Sequence, residues 1–248
     1  MLQIFADPSA LRGDLLTITG PDVNHIRNVL RMKPGEELNA RIGGDGREYR
    51  FGIEEISEQE VLCRLRFVKE SDVELPVRII LFPGLPKADK MEWIVQKSVE
   101  LGAAGIVPVE MSRCVVRLDA SKKDKKAARW QTIAESAAEQ SRRAVIPKVE
   151  RPVSLKEALA LAGQQTDLIL VPYELQETDE STKEALAKLK PGMSAAVFIG
   201  PEGGFEPEEI EQIRAAGGIP ISLGRRILRT ETASLAFLSW MIYRFEME

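Results

Sequence analysis

The 248-residue chain is short of the residues that usually build metal centres or disulfide frames, with one histidine, His25, and two cysteines, Cys63 and Cys114. The cysteines are isolated and far apart, which suits reduced thiols in a cytoplasmic protein. One imidazole and two scattered thiols give no basis for a zinc site, and no clustered carboxylates suggest magnesium, so no metal is expected. No apolar run approaches the ~20 residues of a membrane span. The start, Met1-Leu2-Gln3-Ile4-Phe5-Ala6-Asp7-Pro8, lacks the basic head and long apolar core of a signal peptide. The expectation is a cytoplasmic protein with no membrane partner. Internal repeats and low-complexity tracts are missing too.

What is present is ordinary for a globular protein: 44% hydrophobic and 29% charged residues, enough for one large domain or two modest ones. The net charge of −4 argues against a nucleic-acid partner only on average, because distant charges are screened. Between Met111 and Arg151 there are eleven Lys/Arg against five Asp/Glu, so the basic charge is segregated. One face can attract phosphate while the others repel it.

The first seventy residues read as mostly β with one short helix. Leu15–Thr19 is a strand, and Pro21-Asp22 opens a helix, proline suiting the first turn and aspartate the positive end. Val23, Ile26, Val29 and Leu30 form its apolar stripe. Gly43-Gly44-Asp45-Gly46 marks a hairpin, and in the strand that follows Val61, Cys63, Leu65 and Phe67 alternate with Arg64 and Arg66. Several short strands with one helix suggest a small barrel over 1–70. Residues 71–76, charged and ending in Pro76, read as a linker.

From 77 to 248 strands alternate with helices, which implies a mainly parallel sheet covered on both faces. Strands are expected at Val77–Phe82, Ile106–Val109, Leu168–Val171, Ala195–Ile199 and Ile219–Leu223. A helix over Lys123–Arg142 places Trp130, Ile133, Ala134, Ala137, Ala138 and Ser141 on one largely small face. The final helix, Glu231–Phe245, is apolar on more than one side and so is buried on more than one side. A subunit interface is a natural second neighbour.

Two of those strands run into polar, glycine-bearing stretches: Phe198-Ile199-Gly200-Pro201-Glu202-Gly203-Gly204-Phe205, and Ser222-Leu223-Gly224-Arg225-Arg226-Ile227-Leu228-Arg229-Thr230-Glu231-Thr232-Ala233. Strand ends of this kind are where open α/β sheets bind small ligands. Either stretch alone could be a tight turn. Together they carry Glu202, Arg229, Thr230, Glu231 and Thr232, which a turn does not need. The glycine spacing is not G-x-G-x-x-G and comes late in the chain, which discounts a dinucleotide fold.

The same stretches, GPEGGF and LGRRILRTETA, resemble the C-terminal motifs of the bacterial 16S ribosomal RNA uridine-N3 methyltransferases. That family belongs to the SPOUT class. The similarity extends upstream through Lys87–Gly102, Glu135–Arg143 and His25–Arg31, in the family's order, and so covers nearly the whole chain. It implies an α/β C-terminal domain over 77–248 with a trefoil knot, a PUA-like RNA-binding β-barrel over 1–70, S-adenosyl-L-methionine as cofactor, 16S ribosomal RNA or the small ribosomal subunit as partner, and a homodimer. Family members commonly begin with an arginine before paired phenylalanines, where this chain has Gln3-Ile4-Phe5.

Methyl transfer to N3 of uracil requires loss of the N3 proton and stabilisation of the charge left on the carbonyl oxygens. Arg229 is expected to stabilise the uracil or a neighbouring phosphate, and Glu202 or Glu231 to accept the proton. The alternatives are that Thr230 and Glu231 cap the last helix and that Glu202 orients its loop. Three loops are expected to hold the cofactor, mainly by backbone groups: Val171, Pro172, Tyr173 and Glu174; Ile199, Gly200, Pro201, Gly203 and Gly204; and Leu223, Gly224, Ile227, Leu228, Thr232 and Ala233. The expected RNA contacts are His25, Arg27, Arg31, Arg113, Arg142 and Arg143. By residue pattern alone the first three form a solvated helix face, and Arg142-Arg143 suit a helix C-terminus. The resemblance and the basic segment favour phosphate.

Two rival readings remain. One is an RNA-binding or ribosome-assembly protein with no cofactor. The other is an enzyme of the same class acting elsewhere, on a ribose 2′-hydroxyl or on transfer RNA.

Overall fold

The computed structural model describes residues 1–70, 72–173 and 179–247. Ser71 of the expected linker and Glu174 of the first expected cofactor loop lie outside the described residues. The chain forms two compact units, one of Met1–Glu74 with Ala138–Ile146, the other of Leu75–Ala137 with Pro147–Glu248.

The first unit is built on a six-stranded sheet in the order β1-β4-β5-β6-β3-β2. The strands are β1 (Gln3–Ala6), β2 (Leu11–Arg12), β3 (Leu15–Thr19), β4 (Glu37–Ile42), β5 (Arg47–Ile56) and β6 (Glu60–Glu70). β1 pairs parallel with β4, and the remaining neighbours are antiparallel. Gly43, Gly44 and Gly46 turn the β4–β5 hairpin at φ of 60°, 68° and 78°, values that favour glycine. Leu16, Ile18, Leu38, Phe51, Ile53, Val61 and Cys63 fill the core. Burial, with Glu54 adding, pushes the Cys63 thiol up to about 12, so it stays an inert packing group.

Two apolar patterns break, each for a backbone reason. Helix α1 (Pro21–Asn24) widens at once into a π turn, His25–Val29, closed by Leu30 N–H to His25 C=O at 2.9 Å. The extra residue rotates the stripe, so Val23 and Ile26 are buried while Val29 and Leu30 are exposed. In β6 a register shift sets Leu65 opposite Phe51 but Phe67 opposite Arg50. This bulge flips Phe67 to the other face, where the Arg50 guanidinium lies 5.4 Å from its ring centroid.

Residues 138–146 complete this unit. Gln3 Nε2 donates to the Arg143 carbonyl at 3.0 Å, and Glu74 accepts from the amides of Ala144 and Val145 at 2.8 and 3.4 Å. Gln3, the departure from the family's arginine, is thus a buried backbone tie.

The second unit holds an all-parallel sheet in the order β10-β8-β7-β13-β12-β14. Its strands are β7 (Arg78–Pro83), β8 (Gly105–Ile106), β10 (Lys148–Val149), β12 (Leu168–Pro172), β13 (Ser194–Ile199) and β14 (Ile219–Ile221). β9 (Val109–Glu110) and β11 (Val153–Ser154) form a separate parallel pair. The expected Ile106–Val109 strand is therefore two pieces broken at Pro108, which has no N–H to continue the ladder. The helices are α2 (Lys90–Glu100), α3 (Ala120–Gln140), α4 (Leu155–Gln165), α5 (Asp179–Ala187), α6 (Pro207–Ala215) and α7 (Thr230–Ile242). The last residues of α3, from Ala138, belong to the first unit.

Every residue of β13 is buried, as a strand covered on both faces requires. Phe82 and Phe198 stack with centroids 4.6 Å apart, tying β13 to β7. Phe237, Leu238 and Met241 seat α7 in a core with Ile79, Leu81, Ala195 and Val197. No helix among the described residues is long and apolar enough to cross a membrane.

Candidate active site

The carboxyl ends of β12, β13 and β14 open into a cavity of about 550 Å³, walled by the 200–205 loop, the 222–229 loop, the start of α7 and Lys87–Lys90. That size suits a small-molecule ligand.

The 200–205 loop is fixed from three sides. Gly84 N–H donates to Ile199 C=O at 2.8 Å, and a Cβ at Gly84 would stand 2.7 Å from Pro201 Cδ, so the two backbones meet only because Gly84 has no side chain. Thr230 Oγ1 donates to Gly200 C=O at 2.8 Å, binding the loop to the start of α7. Arg113 donates to Gly203 C=O at 2.8 Å and pairs with Glu206 at 2.8 Å. That guanidinium bond holds the Glu206 carboxyl below the usual glutamate range. Glu209, buried, accepts from the Glu206 amide at 2.9 Å and the Ser112 amide at 2.8 Å, anchoring the segment before Arg113 to α6.

At the centre Lys90 Nζ lies 3.0 Å from Glu202 Oε1 and 3.6 Å from Glu231 Oε2. The Lys87 amide also donates to Glu202 Oε1, at 3.1 Å. Partial burial raises the Glu202 pKa, but the Lys87 amide and the Lys90 ammonium outweigh it and leave the carboxyl below its ordinary value. Glu231 Oε2 is buried and, among the described residues, has no hydrogen-bond partner; Lys90 is an ion-pair neighbour at longer range. Between the lysines Ala88 sits at φ 53°, a left-handed conformation costly for a residue with a Cβ. The contacts of Lys87 and Lys90 on either side hold it there.

The 222–229 loop closes the other wall. Ser222 N–H donates to Thr182 Oγ1 at 2.9 Å, Gly224 N–H donates to Ser222 Oγ at 3.1 Å, and Gly224 takes φ 106°. Arg229 is the N-cap of α7 and makes no side-chain cap bond.

The residues expected to hold a cofactor mostly line this cavity: Pro172, Tyr173, Ile199, Gly200, Pro201, Gly204, Leu223, Gly224, Ile227, Leu228 and Ala233. Val171 lies buried in β12, Thr232 is exposed on α7, and Gly203 is held from behind by Arg113. Glu202 and Arg229 line the cavity, and Glu231 reaches it through Lys90. Lys87 and Lys90 also line it without having been expected as site residues, while Ser222 and Arg226 belong to the second glycine-bearing stretch. No local pattern joins Lys90 to a carboxylate 112 positions later.

The expected phosphate contacts separate into two kinds. In the first unit His25, Arg27, Arg31 and Arg142 are exposed, Arg27 pairing with Glu58 at 3.4 Å. Arg143, by contrast, is 3% exposed and ion-paired to Glu74, so a phosphate would have to displace that carboxylate from a buried guanidinium. In the second unit Arg113 is exposed, and its guanidinium donates to Gly203 C=O and pairs with Glu206.

An RNA methyltransferase domain family matches residues 73–242, and an RNA methyltransferase PUA domain family matches residues 18–66. The chain is 38% identical to the ribosomal RNA small subunit methyltransferase E of Bacillus subtilis, over 93% of this chain and 91% of that protein. The Mycobacterium tuberculosis protein of the same name is 31% identical over 96% and 89%. The crystal structure of the Neisseria gonorrhoeae enzyme of that name, bound to S-adenosyl methionine, superposes with a TM-score of 0.84 at 31% identity, covering all of both chains.

Proposed function

This chain belongs to the ribosomal RNA small subunit methyltransferase E family, and from that premise we propose that it methylates N3 of a specific uridine in 16S ribosomal RNA, using S-adenosylmethionine. The observation that carries the reading is the strand-end cavity closed by Lys90 between Glu202 and Glu231. Its residues suit the cofactor. Glycine backbone and the aliphatic Leu223 and Leu228 offer a surface for adenine and ribose, and the buried Glu231 oxygen, which accepts no hydrogen bond among the described residues and has only Lys90 as a longer-range ion-pair neighbour, suits a site that takes a cationic ligand. When bound, the cofactor supplies an electrophilic methyl group on a sulfonium.

The remaining work falls to the chain. The backbone around Gly200, Gly204, Gly224 and Leu228 orients the donor, and holding both reactants can supply much of the ~7–11 kcal/mol available from proximity. Arg229, exposed at the rim, offsets the charge left on the uracil carbonyls once N3 is deprotonated. Of the two acceptors, Glu202 already takes two donors on one oxygen, whereas Glu231 Oε2 accepts no hydrogen bond among the described residues, so the proton goes to Glu231. His25, Arg27, Arg31 and Arg142 of the first unit, a PUA-type barrel in this reading, contact the RNA backbone; the exposed Arg27–Glu58 pair is weak enough to exchange for phosphate. The second unit is of SPOUT type, with the loops leading into α7 forming the trefoil knot. The enzyme acts as a cytoplasmic homodimer.

The test is to incubate unmodified small subunits, or their naked RNA, with the protein and S-adenosylmethionine, then digest the RNA and identify the new nucleoside by mass spectrometry. N3-methyluridine is expected. A ribose-methylated nucleoside would sink the assignment of the target atom, and no methylated nucleoside would sink the activity.

A further inference from the structure

The rim of the cavity carries charge and apolar surface that nothing else in the described residues uses. Arg225, Arg226 and Arg229 are all exposed, and among the described residues none of their guanidinium groups has a hydrogen bond or ion pair. By contrast Arg27, Arg64, Arg129 and Arg151, also at the surface, each meet a carboxylate. Within this arginine run stands Ile227, 83% exposed, the most exposed large apolar side chain of those described. Its residue lines the cavity, yet its side chain is left in water, where it forgoes the gain of burial.

The combination narrows the partner. An apolar protein surface over Ile227 would desolvate three guanidinium groups with no counter-charge, which is costly. A nucleic acid offers both requirements within a few successive nucleotides: backbone phosphates for the arginines and an apolar base face for the isoleucine. Isoleucine is also among the side chains that proteins insert between bases to unstack them.

We propose that this rim engages RNA at the target nucleotide, Arg225 and Arg226 gripping the flanking phosphates while Ile227 fills the space of the withdrawn base and keeps the target uridine out of its stack. The proposal rests on the methylation reading above for the identity of the RNA. It extends that reading to the means by which a stacked base becomes accessible. The Ile227 backbone stays with the cofactor wall, and only its side chain turns to RNA.

Two variants test it. Ile227→Ala is assayed on folded small-subunit ribosomal RNA and on a short unstructured oligonucleotide carrying the same uridine. Methylation of the folded RNA should fall about tenfold, with the oligonucleotide much less affected, because only the folded RNA needs unstacking. Arg225→Gln with Arg226→Gln should lower the slope of log affinity for RNA against log salt by roughly 1.4. The two RNAs are compared at saturating cofactor, so that any change in cofactor affinity at this wall cancels, and oligomeric state by light scattering should match the wild type. Equal losses on the two RNAs, an unchanged salt slope or an altered oligomeric state would each overturn the proposal. The salt slope reads RNA binding alone. It still judges this surface if the wild type transfers no methyl group, a result that would strike the proposed reaction instead.

Discussion

Lys90, at the start of α2, meets Glu202, in the loop after β13, at 3.0 Å, and the same ammonium reaches Glu231 at the start of α7. A cation in the first turn of a helix opposes the helix dipole, so the two carboxylates explain why this position tolerates it. One side chain thereby joins three segments of the cavity wall.

Replacing Lys90 by Met leaves two carboxylates facing the space of one lost ammonium. The melting temperature at neutral pH should fall by roughly 2–4 °C. Like-charge repulsion raises the pKa of at least one glutamate in the folded state, so part of the loss should return as pH falls through that raised value. Lys90→Arg should keep most of the stability. A pH series of thermal melts on the three proteins checks this, and a deficit in Lys90→Met that does not vary with pH would refute it.

The wild type should behave in the opposite sense around Glu202. Its native pKa is depressed from the ordinary 4.5, so its contribution is fully present above that value and is lost as pH falls through the lower native one. Cofactor affinity between about pH 6 and 8 should therefore show no titration of this group. Calorimetry across that range measures it directly.

Arg113 positions the glycine loop. Arg113→Ala should weaken cofactor binding by about tenfold, since its bond to the Gly203 carbonyl is charge-assisted. The salt dependence of RNA binding should stay unchanged. Were Arg113 a phosphate contact instead, that slope would drop by about 0.7–0.9.

Gly84→Ala tests the crossing beneath the same loop. The added Cβ would stand 2.7 Å from Pro201 Cδ and 2.8 Å from the Pro201 backbone nitrogen, which no rotamer relieves. A loss of about 1–3 kcal/mol is expected by chemical denaturation, together with weaker cofactor binding.

In the first unit Arg41 is 1% exposed and pairs with Glu48 at 3.4 Å, while its Nε and Nη1 have no partner among the described residues. Glu48→Ala strands that buried cation and should cost about 3–5 kcal/mol. Arg41→Met with Glu48→Leu removes both charges and should cost far less. Equilibrium urea unfolding of the single and double variants separates the two cases.

Much of this protein was legible before any coordinates. The hairpin glycines at 43, 44 and 46, the strand β3, and the strand-to-glycine transition at Ile199 are written in patterns spanning a few residues, because backbone propensity and side-chain periodicity are local properties; β14 ends at Ile221, two residues short of the expected Leu223. Glycine-bearing strand ends with surplus polar residues were enough to mark most of the cavity wall.

Only the tertiary structure decided which charges meet. Arg143 and Arg142 are adjacent and chemically identical, yet one is buried against Glu74 and the other is exposed, a choice made when residues 138–146 joined the first unit. A single π turn exposed Val29 and Leu30, and a single bulge turned Phe67 outward, each shifting the phase of a regular pattern by one position. Lys90 found Glu202 and Glu231 through the packing of distant segments. Periodicity decides which face of an element is apolar; the partner of a charge depends on where the rest of the chain comes to lie.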